Sequence, residues 1–177
     1  MKFLSVILVW ITFAAQAQVP VREIPSDYGY IVKIGQQAPD FSAQSLDGKT
    51  IRLSDLKGKV VMLQFTASWC SVCRREMPHI EKEIWQKNKN NPDFALFGVD
   101  LDEPRETVEK YTKQIPVTYP MLLDPKGNIF YSYAEKGAGV TRNVIIDKNG
   151  EIVFMTRLFK EEEFEEMKEV IKESLFK

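Results

Sequence analysis

The sequence predicts an α/β fold, in which one central mixed β-sheet carries helices on both faces and a small β-hairpin precedes it. Three observations predict this. An apolar run from Val60 to Phe65, broken only by Gln64, is followed by apolar residues at helical spacing. A second apolar run, Phe94 to Val99, leads into another helical pattern. Two further strand-like runs, Asn143 to Ile146 and Glu151 to Met155, flank Lys148-Asn149-Gly150 and lead into an amphipathic C-terminal helix. The order β-α-β followed by β-β-α closes one sheet between two helical layers.

At 177 residues, 44% hydrophobic and 28% charged, the chain suits one globular domain. A formal net charge of -1 and the lack of a Lys/Arg-rich run exclude a nucleic-acid footprint. One His and two Cys cannot close a four-ligand structural zinc site without carboxylates.

Each element has its own cause. Lys2, an apolar run from Phe3 to Ala15 and the small-x-small triplet Ala15-Gln16-Ala17 predict a signal peptide over residues 1–17, with a mature start at Gln18. That run is shorter than the roughly 17 to 25 residues that cross a bilayer, so a permanent membrane anchor is the weaker reading. The expected location is periplasmic or otherwise extracytoplasmic, an oxidising compartment. Residues 18–33 read as an N-terminal extension and residues 34–177 as the domain. Asp47-Gly48 between Phe41–Leu46 and Thr50–Leu53 signals the hairpin. Val60–Phe65, bounded by Lys57-Gly58-Lys59 and Thr66-Ala67-Ser68, reads as a buried central strand. Cys73, Met77, Ile80 and Ile84 then place one helical stripe inward. Pro78 must disturb that helix, because its nitrogen has no proton for the Arg74 carbonyl. Pro104 suits the first turn of the next helix, with Val108, Tyr111 and Ile115 on one side. Glu161-Glu162-Glu163 open the last helix, whose Phe164, Met167, Ile171 and Leu175 face inward. Other Met and aromatic positions read as core, and His79 as an exposed or capping side chain.

The cysteines carry the chemistry. Cys70 and Cys73 enclose only Ser71 and Val72, and so short a loop constrains the unfolded chain by about 2 kcal/mol, a poor staple. A dithiol that opens and closes is the better reading. Cys70 sits at the helix start, where free N–H groups and the macrodipole favour a thiolate, while Cys73 lies on the buried stripe. Cys70 is therefore the expected nucleophile and Cys73 the resolving thiol. Glu76 is a candidate for proton transfer in the second attack, or else an exposed first-turn Glu. Trp69, a large ring beside the nucleophile, either shapes the substrate contact or packs in the core. The redox pair itself is the only prosthetic chemistry expected, with no cofactor and no metal.

Gly35, Ala38-Pro39-Asp40-Phe41, Leu46-Asp47-Gly48, Leu53–Lys59, Trp69-Cys70-Ser71-Val72-Cys73, Glu76-Pro78, Tyr119-Pro120 and Ile146–Gly150 together resemble the extracytoplasmic thiol-disulfide oxidoreductases of the TlpA/ResA type, related to the AhpC/TSA and redoxin proteins. The likeness runs from about Gly35 to the C-terminus. It implies a thioredoxin-like fold and reduction of exported proteins such as apocytochromes c, hence roles in cytochrome c biogenesis and cell redox homeostasis. It also implies recharging by a membrane thiol-electron donor. A monomer that binds no nucleic acid is expected.

Departures from the family matter as well. Where the family has a cis-Pro facing the nucleophile, this chain reads Val140-Thr141-Arg142-Asn143, and a cis bond before Thr would cost about 2.5 to 4 kcal/mol. Val140, Thr141 and Arg142 are expected to contact substrate, Arg142 by adding positive potential or holding a partner carboxylate; the alternative for Arg142 is a solvent-facing strand residue. Gln64 stands where thioredoxins carry a buried acid, so it cannot act as a base. Three other readings compete. A peroxiredoxin-like peroxidase would want Thr and Pro where Ala67 and Leu63 stand. A copper-binding module would want a wider cysteine spacing and a downstream His. A non-catalytic module would keep an inert disulfide. With neither Pro nor His between the cysteines, electron flow toward substrate is the expected direction.

Overall fold

The computed structural model describes residues 23–177. The expected signal peptide lies outside the described residues. Among the described residues no helix is long and apolar enough to cross a membrane.

The hairpin forms as expected. β1 (Ser42–Ser45) and β2 (Thr50–Arg52) pair antiparallel, and Gly48 takes a left-handed φ of 85° at their turn. β3 (Val60–Thr66) is buried at every position. Its alternating side chains serve two cores, with Val61, Leu63 and Phe65 on one face of the sheet and Val60 and Met62 on the other.

α1 (Ser71–His79) follows, then a π-helical stretch (Ile80–Trp85) and the short α2 (Gln86–Asn88). The widening begins just past Pro78, the residue that cannot donate into the helical ladder. The predicted stripe of Cys73, Met77, Ile80 and Ile84 is at most 1% exposed.

β4 (Phe94–Leu101) pairs parallel to β3 and runs two residues beyond the expected end, through Asp100. α3 (Arg105–Gln114) buries Val108 and Tyr111, and Pro104 caps it from outside rather than standing in its first turn. β5 (Met121–Asp124) and the one-turn α4 (Phe130–Tyr133) are additions that the sequence pattern does not announce. β6 (Arg142–Ile146), β7 (Ile152–Arg157) and α5 (Glu161–Phe176) complete the chain. The mixed seven-stranded sheet has the order β2-β1-β5-β4-β3-β6-β7. Its centre is parallel, β5-β4-β3, and its flanks are antiparallel.

The described part of the N-terminal extension is built into the domain. Tyr28 and Val32 are each 5% exposed, and Tyr30 bridges to Ala134.

Gly98, in the middle of β4, has a steric reason. A Cβ there would overlap the Met121 sulfur, lie 2.8 Å from its methyl and 3.2 Å from the Tyr119 ring. Because these side chains pack beneath the central strands, Gly98→Ala is expected to cost about 1 to 3 kcal/mol by overpacking. Urea unfolding midpoints of the two proteins check this, and equal midpoints would mean that the pocket relaxes freely.

Candidate active site

In β-α-β units, side chains that act on ligands gather beyond the carboxyl ends of the parallel strands. Here the β3–α1 turn carries Trp69 and Cys70 to that edge, and α1 begins immediately after. Cys70 and Cys73 form a disulfide, with their Cα atoms 5.3 Å apart.

The two sulfurs differ in environment. Cys70 is the N-cap of α1, and its Sγ accepts the Cys73 backbone N–H at 3.1 Å. That is where the unsatisfied amides of a helix end stabilise negative charge, so an opened Cys70 is held toward thiolate. Cys70 is 7% exposed and Cys73 fully buried. The Cys73 sulfur faces inward, 3.9 Å from the Phe65 carbonyl.

Thr141 lies against both. Its hydroxyl is 3.1 Å from the Cys70 sulfur and 3.3 Å from the Cys73 sulfur. A disulfide can only accept, so the hydroxyl donates. All peptide bonds of the described residues are trans, the one before Thr141 included. The Thr hydroxyl thus occupies the face of the disulfide, and the Thr141 carbonyl accepts the Leu158 N–H at 3.1 Å. Val140 is buried beside it, at 3% exposure.

Trp69 is 65% exposed, next to the nearly buried sulfurs. Core packing is therefore not its role, and its ring stands free beside the disulfide.

Arg142 takes neither expected place. It is 1% exposed, its guanidinium stacks 4.5 Å from the Tyr30 ring centre, and its Nε donates to the Gly139 carbonyl. It is an interior cation covered by the N-terminal extension, and it does not join the surface formed by Trp69. His79 pairs at the surface with Glu83 and packs against Phe159.

Glu76 is buried, 1% exposed, one turn beyond Cys73 on the same helix. One of its oxygens accepts from Asn143 Nδ2 at 2.7 Å, while the other has no partner. Burial pushes its acid up from an ordinary 4.5 to about 8, and the Asn143 hydrogen bond opposes that only in part. An acid raised that far exchanges its proton near neutral pH, and this one sits one turn beyond Cys73 on α1.

Sequence reasoning missed Asn143 as the partner of Glu76. It missed Tyr119 too, whose hydroxyl donates to Gln64 Oε1 at 3.0 Å. Gln64 and Asn143 face one another across β3 and β6. The signal was present in the sequence as two amides, Gln64 within Val60–Phe65 and Asn143 directly before Val144–Ile146, each adjoining an apolar run.

Comparison with known proteins agrees with this arrangement. Residues 34–155 match the AhpC/TSA family. The chain is 35% identical over 124 residues to the thiol-disulfide oxidoreductase ResA of Geobacillus thermodenitrificans, covering 68% of this chain and 67% of that one. It is similar to a solution structure from Bacteroides thetaiotaomicron provisionally assigned as a protein disulfide isomerase. That match has 58% identity and a TM-score of 0.82, covering 85% of this chain and 94% of that one. A thiol:disulfide interchange protein provisionally assigned as DsbE, from Chlorobium tepidum, matches with 30% identity and a TM-score of 0.71, covering 81% of this chain and 99% of that one.

Proposed function

The chain belongs to the AhpC/TSA family and is a ResA-like thiol-disulfide oxidoreductase of the thioredoxin superfamily, and from that premise we propose that it reduces disulfides of exported proteins, with Cys70 as nucleophile, Cys73 as resolving thiol and Glu76 as proton carrier. The observation that carries the reading is the asymmetry of the two sulfurs, one capping a helix next to an exposed Trp and the other fully buried, one turn before a buried acid on the same helix.

In the reduced protein the Cys70 thiolate attacks a substrate disulfide. The Cys70 sulfur bonds to one substrate sulfur, and the other leaves as a thiolate. Ionised Glu76 then takes the Cys73 proton. The Cys73 thiolate attacks the Cys70 sulfur, re-forming the internal disulfide and releasing the second substrate thiolate. Two electrons have moved from the protein dithiol to the substrate. An external dithiol, a membrane thiol-electron donor in this reading, restores the reduced form, and no further cofactor takes part. The exposed Trp69 offers the surface on which a substrate segment lies, and Thr141, whose hydroxyl touches both sulfurs, with Val140 before it forms the buried floor of that surface.

The substrate class is what the likeness to the ResA-type oxidoreductases implies. The apolar leader at residues 1–17 would export the chain to the periplasm, where exported apocytochromes c must present reduced cysteines before haem attachment.

Brief treatment of the reduced protein with iodoacetamide, followed by peptide mapping, tests the roles. Cys70 is expected to label first at neutral pH, because the helix end stabilises its thiolate and Cys73 is enclosed. Equal labelling of the two would contradict the assignment.

A further inference from the structure

A pair of carboxyl groups lies at the same edge of the sheet, and the exchange chemistry leaves it without a task. Asp100, near the end of β4, is fully buried, and neither of its oxygens has a donor. In the parallel register it lies beside Thr66, the last residue of β3. Three residues on, Glu103 turns back to the β3–α1 loop and accepts from Ser68 twice, from its N–H at 2.5 Å and from its hydroxyl at 2.6 Å. The third polar group of Ser68, its carbonyl, accepts from Arg74 Nε at 2.8 Å. Every hydrogen-bonding group of the residue before Trp69-Cys70 is thus held.

The turn that aims Glu103 is itself fixed. Asp102 takes a left-handed φ of 54°, its N–H donates to the Asp124 carbonyl, and its carboxylate accepts from Lys126 N–H. The Glu103 carboxyl is an electrostatic neighbour of Asp100, and no N–H or O–H donor faces either Asp100 oxygen. Two ionised carboxylates cannot stay in contact in the interior, but an acid and a carboxylate can, the acid donating.

We infer that Asp100 is a neutral acid whose proton bridges to Glu103, and that this bridge positions the Ser68-Trp69-Cys70 loop for attack. The inference rests on the reading that Cys70 is the nucleophile. The acid is a positioning residue that acts through Glu103 and Ser68 on the helix end where Cys70 ionises. Around Asp100 the electrostatic neighbours are Glu103, Asp124 from β5 and Tyr111 from α3, with Arg74 of α1 lying 4.8 Å above the Tyr111 ring. Burial and those carboxylates together favour the protonated form, and Asp100 is raised from 3.8 to about 8.

The test compares the reduced wild-type protein with Asp100→Asn, Asp100→Leu and Ser68→Ala. The pH dependence of Cys70 alkylation is recorded beside thermal melts. Asp100→Asn keeps an N–H donor toward Glu103 and is expected to keep the wild-type midpoint. Asp100→Leu and the charge-neutral Ser68→Ala loosen the loop and are expected to move the midpoint upward by about one pH unit, the scale of one hydrogen bond lost from a charged network. A lowered melting temperature with an unmoved midpoint would mean a purely structural role and would overturn the inference. Ser68 is only partly buried, so Ser68→Ala keeps the test decisive if Asp100→Leu fails to fold.

In a Glu76→Gln background at neutral pH, the infrared band of a protonated carboxyl is expected to vanish on adding Asp100→Asn; absence of that band from the start would also overturn the inference. If alkylation maps to Cys73 in the wild type, the assignment of Cys70 fails instead.

Discussion

Cys73→Ser is expected to accumulate a covalent complex with disulfide substrates, linked through Cys70, and Cys70→Ser is expected to accumulate none. The reason is the division of labour at the start of α1. Cys70 retains its helix-end position in the first variant and attacks, but the hydroxyl at position 73 cannot displace the bound sulfur. Both variants are expected to lose turnover by roughly 10³-fold or more, the scale on which removing a nucleophile acts. Folding should survive, because opening so short a loop costs about 2 kcal/mol. Non-reducing electrophoresis and mass mapping of the adduct check the result. Equal trapping by both variants would remove the assignment of roles.

Glu76→Gln is expected to separate stability from activity. An acid raised in the folded state, from 4.5 to about 8 here, binds its proton more tightly folded than unfolded. Stability is then full below about pH 4.5 and falls as pH rises to about 8, at roughly 1.4 kcal/mol per unit. Glutamine keeps an oxygen for Asn143 Nδ2 and carries no charge, so this decline disappears. Relative to wild type, the variant should gain roughly 3 to 5 kcal/mol between pH 4.5 and 8. Asp100 and Asp124, whose acids burial also raises, contribute to whatever slope remains. The same variant should resolve mixed disulfides more slowly, by about 10²-fold, since the proton acceptor beside Cys73 is gone. Urea midpoints at pH 5 and pH 8, with stopped-flow resolution rates, check both halves. A parallel pH slope in the two proteins would show that Glu76 is ionised throughout.

The residues that make the fold legible are those whose pattern is local. The unbroken run of β3 and the stripe of Cys73, Met77, Ile80 and Ile84 announce a buried strand and the helix packed on it. The spacing of Cys70 and Cys73 announces the dithiol. β5 was not legible, because a four-residue strand that follows Pro120 owes its existence to pairing between β1 and β4 rather than to its own period. Arg142 was misplaced for a similar reason: its burial depends on Tyr30, supplied by a segment read only as an extension. The acidity of Glu76 was readable as a possibility but not as a fact, since its enclosure comes from Asn143, 67 residues away. Asp100 was hidden by where the strand was expected to end, at Val99. Extending β4 by two residues turns a loop acid into a buried one.

The reduction potential of the Cys70–Cys73 pair, equilibrated against dithiothreitol or glutathione buffers, tests the central claim most directly. The account predicts a value near or below about -230 mV, in the range where thioredoxin and glutaredoxins act as reductants. A value of about -120 to -180 mV would place the pair among oxidants and isomerases and contradict it.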